Sequence, residues 1–417
     1  MPEPTIQPAL ARRLGLTDAV MIGLGSMLGA GVFSAFAPAA QSAGRWLLLS
    51  LAIAAVVAFA NATSSAQLAA RYPTSGGTYF YGREELGQWP GFLAGWCFVI
   101  GKTASCAAMA LTVAFYLAPV GWRRPVAIAA VWALAAVNMF GVTRTARLAR
   151  ILAVVVLVVL TGVVLLGWVG EPGHPAVATT SGGSPLGVLQ GAGLLFFAFA
   201  GYARIATMGE EVTNPRRTIP RAIILALGIA LLVYVALALT LLRVLGVGAL
   251  AGSAAPVADA IRALDMAWAQ PVVRFGAAAA ALGALLSLVT GVGRTSLAMA
   301  REGDLPRWLA AVDPTHQVPR RAEATLAVVL TALLLVTDLR GAIGFSSFGV
   351  LLYYFVANAS AWHQTEGRLY PRALQGLGMV LCAVLVVSLP LGSVLAGLVV
   401  LAVGIVGRLV TRSLASN

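Results

Sequence analysis

Charge is scarce in this chain. Asp, Glu, Lys and Arg make up 10% of the 417 residues against 59% hydrophobic ones. Apolar runs longer than about 18 residues recur throughout, which excludes a water-soluble domain and makes lipid the solvent. The runs are far longer than the roughly 10-residue alternating strands of a barrel, so the spans are helical. Cysteine is almost absent. Cys97, Cys106 and Cys382 fall in apolar runs without metal-ligand spacing, so they read as packing residues rather than a disulfide framework or zinc site. The three histidines, His174, His316 and His363, are scattered over loops and a span end, with no nucleophile motif beside them. That excludes a catalytic constellation, and the chain is not expected to be an enzyme, nor to need a cofactor or metal. A ring-forming filter motif is also missing, which argues against a channel. No small-residue cleavage site follows the first apolar segment, so a cleavable signal is not expected.

Helical spans are expected near residues 17–40, 44–69, 88–118, 124–141, 147–169, 186–208, 220–246, 271–299, 322–337, 341–362, 373–390 and 392–410. That is an all-α integral membrane protein of about twelve spans. The segments are a cytoplasmic N-terminus 1–16, a five-helix repeat 17–170 and a polar external connector 171–185. A second five-helix repeat 186–362 and a peripheral pair of helices with a short C-terminus, 363–417, complete the chain. With the N-terminus placed inside, eighteen loop arginines fall on the cytoplasmic side and seven outside. Positive charge is retained in the cytoplasm, so both termini are expected there, in the cytoplasmic membrane. The net charge of +13 then reflects topology and anionic lipid rather than a nucleic-acid partner.

Two places break the apolar periodicity. Gly25-Ser26-Met27-Leu28-Gly29-Ala30-Gly31-Val32-Phe33 puts three glycines inside the first span, and Phe199-Ala200-Gly201-Tyr202 puts one inside the sixth. Glycine lets a backbone unwind, and in lipid an unwound backbone survives only against protein or a water-filled cavity. A repeat of five spans must invert the second copy, so the breaks take equivalent places in inverted halves. Such a pair points to a transporter site. The bland alternative is that the glycines serve close helix packing.

These two stretches, together with Glu210-Glu211-x-x-Asn214-Pro215-x-Arg217-Thr218-x-Pro220, Ala300 to Pro306, Pro319 and Phe345-Ser346-Ser347-Phe348-Gly349, resemble amino-acid permeases of the amino acid, polyamine and organocation (APC) superfamily. The resemblance covers most of the chain. It implies a LeuT-type fold of five plus five inverted helices with two peripheral ones, and alternating access driven by an ion gradient.

The residues themselves suggest the ligand. Released N–H groups at Gly29, Ala30 and Gly31 suit a carboxylate, and carbonyls around Met27 and at Phe199 and Ala200 suit an ammonium. An α-amino acid carries both. Side chains of Met27, Phe199 and Tyr202 then shape the rest of the site around Gly201, although packing is the commoner role for such residues in a span. Every Asp and Glu falls in a loop or at a span end, while Lys102 and Arg204 lie within spans. Such charges are costly in lipid unless paired or wet. Where many permeases of this type carry Glu after the Gly-aromatic pair, this chain has Ala203. A neutral or acidic amino acid is therefore expected rather than a cationic one. Arg204 is expected among the substrate-binding residues, with a structural ion pair to Glu210 or Glu211 as the alternative.

For coupling, sodium-dependent relatives of this fold imply Gly25, Leu28, Ser287 and Thr290 as ion ligands, whereas serine and threonine also bond back to their own helix. Proton-coupled relatives place a lysine in the fifth span, where Val156 stands here. Lys102 is expected to replace it, coupling transport to protons. The alternative is a structural lysine bonded to helix-break carbonyls. An exchanger, a sodium symporter and a non-transporting receptor remain as further readings.

Overall fold

The computed structural model describes residues 14–74, 76–140, 145–171, 183–313, 315–316 and 318–416. Residues 1–13 of the expected N-terminal segment and 172–182 of the connector lie outside them.

The first repeat opens with a span in three pieces, α1 (Leu16–Met27), α2 (Ala30–Ser34) and α3 (Phe36–Ala43), followed by α4 (Leu47–Arg71), a short α5 (Gly77–Leu86), α6 (Gln88–Leu117), α7 (Arg123–Met139) and α8 (Thr145–Val169). The second opens with α9 (Pro185–Phe199), a 3₁₀ turn at Ala200–Tyr202 and α10 (Ala203–Ala206). It continues through α11 (Pro215–Gly252), a short α12 (Pro256–Ala263), α13 (Gln270–Arg301), α14 (Arg320–Val336) and α15 (Leu339–His363). The pair α16 (Arg372–Ser388) and α17 (Leu391–Ser416) ends the chain. Among the described residues the only β pairing is one isolated bridge, Leu14 to Val212. It ties the start of α1 to the segment after α10.

Among the described residues, ten helical segments are long and apolar enough to cross a membrane. The two further expected spans correspond to α14 and α16, each 17 residues. At 1.5 Å per residue they reach about 25 Å, short of the roughly 30 Å hydrocarbon core. Two helices escaped the sequence reading because they are short and half polar. The first, α5, buries Tyr79 and Tyr81 against α6 and α15. The second, α12, starts at a proline, buries Val257, Ala258, Ala260 and Ile261 and leaves Arg262 outward.

The centre of the molecule is α6, packed between α13 and α15. By contrast α8 and α17 expose valines and leucines, as lipid-facing helices should. Between α4 and α15 runs a buried polar seam: Ser64 Oγ donates to Asn358 Oδ1 (2.6 Å), Asn358 Nδ2 to Asn61 Oδ1 (2.6 Å), and Gln67 Nε2 to Gln364 Oε1 (3.1 Å). Such hydrogen bonds hold helices together where no hydrophobic force can.

A second polar anchor closes the end of α13. Asp304, 2% exposed, accepts from Tyr79 Oη (2.9 Å) and Arg83 (3.2 Å). Burial, then the Asp304 charge, hold the Tyr79 phenol well above its ordinary range, so it stays a donor. Arg408 of α17 brings Nε to 2.9 Å from Asp304 Oδ1, a charge contact without hydrogen-bond alignment. Its guanidinium lies over Trp89 and Phe92, 4.4 and 4.5 Å from the ring centroids. Without Arg408 the buried carboxylate keeps Arg83 and Tyr79 but loses one charge contact, and Trp89 and Phe92 lose the guanidinium packed on them, together a loss of about 2 kcal/mol. Arg408→Met is therefore expected to lower the thermal unfolding midpoint in detergent by several degrees, with Arg408→Lys intermediate. A wild-type midpoint for Arg408→Met contradicts this role.

Candidate functional site

Both breaks exist, and both differ in detail from expectation. The last bond of α1 is Leu28 N–H to Leu24 O (2.7 Å), and α2 begins at Ala30. The unwound residues are thus Leu28 and Gly29, while Ala30 and Gly31 are already helical. The sixth span does not unwind but tightens into the 3₁₀ turn Ala200–Tyr202. A 3₁₀ turn keeps its own hydrogen bonds and releases fewer groups than an open break.

The glycines matter first as contact points. A Cβ on Gly201 would lie 2.5 Å from both C and O of Ser26 and 2.6 Å from Met27 N, so the two breaks touch backbone to backbone. On Gly31 it would lie 2.5 Å from Ala198 Cα, and on Gly29 2.6 Å from Ala284 Cβ. Close packing is therefore what Gly29 and Gly31 serve in this conformation.

Two of the carbonyls assigned to an ammonium, Met27 O and Ala200 O, already have donors from the chain. Tyr234 of α11 places its hydroxyl 2.7 Å from Met27 O and 2.8 Å from Ala198 O, one proton shared between the two breaks. Lys102 Nζ donates to Ala200 O at 3.1 Å, and Tyr354 Oη approaches the same oxygen at 3.4 Å. Tyr202 packs its ring 5.2 Å from that of Tyr354.

Beside this crossing lies a cavity of about 240 Å³ between α1, α6, the α9–α10 turn and α13. Of the residues singled out from sequence, Lys102, Ala200, Gly201, Arg204 and Ser287 line it. Met27, Leu28, Gly29, Ala30, Gly31, Phe199 and Tyr202 are buried outside it. Gly25 and Thr290 are partly exposed but also outside, and the Thr290 hydroxyl bonds back to Leu286 O (3.1 Å). Ser26, Ser105, Met109 and Arg294 line the cavity and were not assigned to the site from sequence.

The cavity is asymmetric. One end reaches Gly76 and Arg294, both exposed, on the face that the arginine distribution assigns to the cytoplasm. Toward the other face the path is packed shut. There Tyr116 Oη donates to Phe33 O (2.9 Å) and accepts from the Val257 N–H (3.4 Å), joining α6, α2 and α12 above the breaks. The lining also has one sign of charge: Lys102, Arg204 and Arg294 with no carboxylate. Arg204 donates to Thr207 Oγ1 at 3.3 Å, and Glu211 attracts it from outside the lining. Lys102 is moreover the chain's single lysine, a singularity legible in the sequence that marks its position more sharply than depth alone.

Comparison with known proteins identifies the family. The amino acid permease family pattern matches residues 14–415. An uncharacterized transporter of Mycobacterium bovis is 58% identical over 98% of this chain and 94% of its own length. The branched-chain amino acid permease BcaP of Bacillus subtilis is 25% identical over 96% of this chain and 93% of its own. Cationic amino acid transporter 4 of Homo sapiens is 29% identical over 86% of this chain and 60% of its own. Two broken helices crossing beside a cavity, in a helical membrane protein matched end to end by that pattern, make this chain a transporter of the amino acid permease family, within the APC superfamily.

Proposed function

We propose that the protein moves an amino acid across the cytoplasmic membrane by alternating access, coupled to protons, in a LeuT-type frame of two inverted five-helix repeats with both termini inside. The observation that carries this is the cavity beside the crossing of α1 and α9–α10, open toward the arginine-rich face and sealed at Tyr116 on the other. A site reached from one side only, at two breaks in corresponding spans, is what a carrier needs and a channel does not.

The relatives' names divide between branched-chain and cationic amino acids. For this chain a cationic substrate is disfavoured, because Lys102, Arg204 and Arg294 would each repel it and no lining carboxylate would hold it. A neutral or acidic amino acid fits. Proton coupling is assigned to Lys102, a titratable group on the cavity wall, in preference to a sodium site at Gly25, Leu28, Ser287 and Thr290, of which only Ser287 lines the cavity.

Proteoliposomes containing the purified chain and an inward proton gradient should accumulate a labelled neutral or acidic amino acid, and dissipation by a protonophore should stop it. Accumulation that follows sodium alone moves the coupling to the sodium site. Binding without any uptake replaces the carrier with a receptor.

A further inference from the structure

We infer that the cavity is built for an amino acid bearing a second carboxylate, with Lys102 at one anionic group and Arg204 and Arg294 at the other. The inference rests on the transporter reading and narrows its substrate class.

Three observations support it. Lys102 is 5% exposed, and its ammonium has three donors, yet its acceptor among the described residues is the single Ala200 carbonyl. A buried ammonium with one acceptor at a cavity wall suits an anion there. Arg204 and Arg294 share the same cavity and repel each other, with Glu211 drawing on Arg204 and Glu323 on Arg294 from outside the lining. An anion between them turns that repulsion into two charge-assisted contacts. The spacing also suits a molecule with two acidic ends. Ala200, which holds Lys102, and Arg204 are four residues apart along the 3₁₀ turn and α10, a rise of about 6–8 Å toward the open end.

The α-ammonium of such a ligand has acceptors too. Ser26 of α1 and Ser287 of α13 line the cavity from separate helices, and the structure gives neither hydroxyl another partner among the described residues. A neutral amino acid would satisfy Lys102 through its carboxylate and leave the two arginines without an anion inside the cavity. A cationic one would add a fourth positive charge. The same ladder of charge, Lys102 deep, Arg204 next and Arg294 at the exposed mouth, offers a departing anion successive contacts on its way out.

The test uses the full chain in nanodiscs with labelled L-glutamate, and L-aspartate, L-leucine and L-arginine as competitors. Glutamate should bind, aspartate should displace it, leucine should need concentrations at least about tenfold higher, and arginine should not compete. Arg204→Gln should weaken glutamate by about tenfold or more while leaving leucine within about twofold, and Arg204→Lys should keep most glutamate binding. Arg294→Gln gives the same comparison should the Arg204 variants misfold. Leucine or arginine competing as well as glutamate, or Arg204→Gln weakening leucine and glutamate alike, overturns the inference. Uptake measured in parallel separates the two levels. If leucine enters proteoliposomes and glutamate does not, the dicarboxylate site is wrong and the carrier stands. If no amino acid enters, the carrier reading itself fails.

Discussion

Replacing Lys102 with methionine abolishes accumulation driven by a pH gradient, with uptake falling on the order of a hundredfold. Methionine keeps much of the length and volume of the lysine stem and removes the ammonium. The Ala200 carbonyl is then left to Tyr354, whose hydroxyl stands at 3.4 Å against 3.1 Å for Lys102 Nζ. The cavity also loses its deepest charge. A purely structural lysine would make a different prediction, since stability would fall while the surviving carriers still followed the gradient. Lys102→Arg sharpens the distinction. Arginine supplies charge and donors but cannot give up its proton. It should retain substrate binding and exchange while losing the response to pH. Proteoliposome uptake across a range of imposed gradients, with melting curves on the same preparations, separates these outcomes. Wild-type accumulation by Lys102→Met removes the residue from coupling.

The second large effect is expected at Gly201. Its would-be Cβ meets the Ser26 carbonyl carbon and oxygen at 2.5 Å and the Met27 nitrogen at 2.6 Å, all backbone atoms that no rotamer change can move. Gly201→Ala must push α1 away from the 3₁₀ turn. That displacement would stretch the bridge in which one Tyr234 hydroxyl reaches Met27 O and Ala198 O together. Overpacking of this kind costs about 1–3 kcal/mol. The loss of transport should be larger than the loss of stability, because the displaced atoms frame the cavity. Gly228→Ala is the control, since a Cβ there meets nothing within 4 Å and the position lies on an outward face of α11. Transport at the wild-type rate by Gly201→Ala shows that contact between the breaks does not set the site. Gly31→Val is expected to fail for a related reason, its Cβ falling 2.5 Å from Ala198 Cα. That makes it a test of helix approach, not of a carboxylate seat.

The partners that decide the site lie far away in sequence. Tyr234 is 207 residues from Met27, and Tyr354 is 154 from Ala200. A buried tyrosine needs a hydrogen-bond partner, which is a signal that something receives the hydroxyl of Tyr234 in the middle of an apolar run. It does not say what. For the same reason Met27 O and Ala200 O read from sequence as open acceptors, although the folded chain supplies a donor to each.

What the sequence determined by itself was each segment's relation to lipid: an all-α membrane protein, glycine-marked interruptions in the first and sixth spans, and the residues that carry the family resemblance. Hydropathy and glycine content belong to a segment and need no neighbour to be read. The tertiary structure alone decided that the first break is Leu28 and Gly29, that the second is a 3₁₀ turn, and that Gly29 and Gly31 pack while Arg294 and Ser26 face the cavity. It also decided which end of the cavity is shut. Those are questions of which helix lies against which, and a backbone carbonyl in lipid takes whatever donor the fold brings within about 3 Å, however distant in the chain.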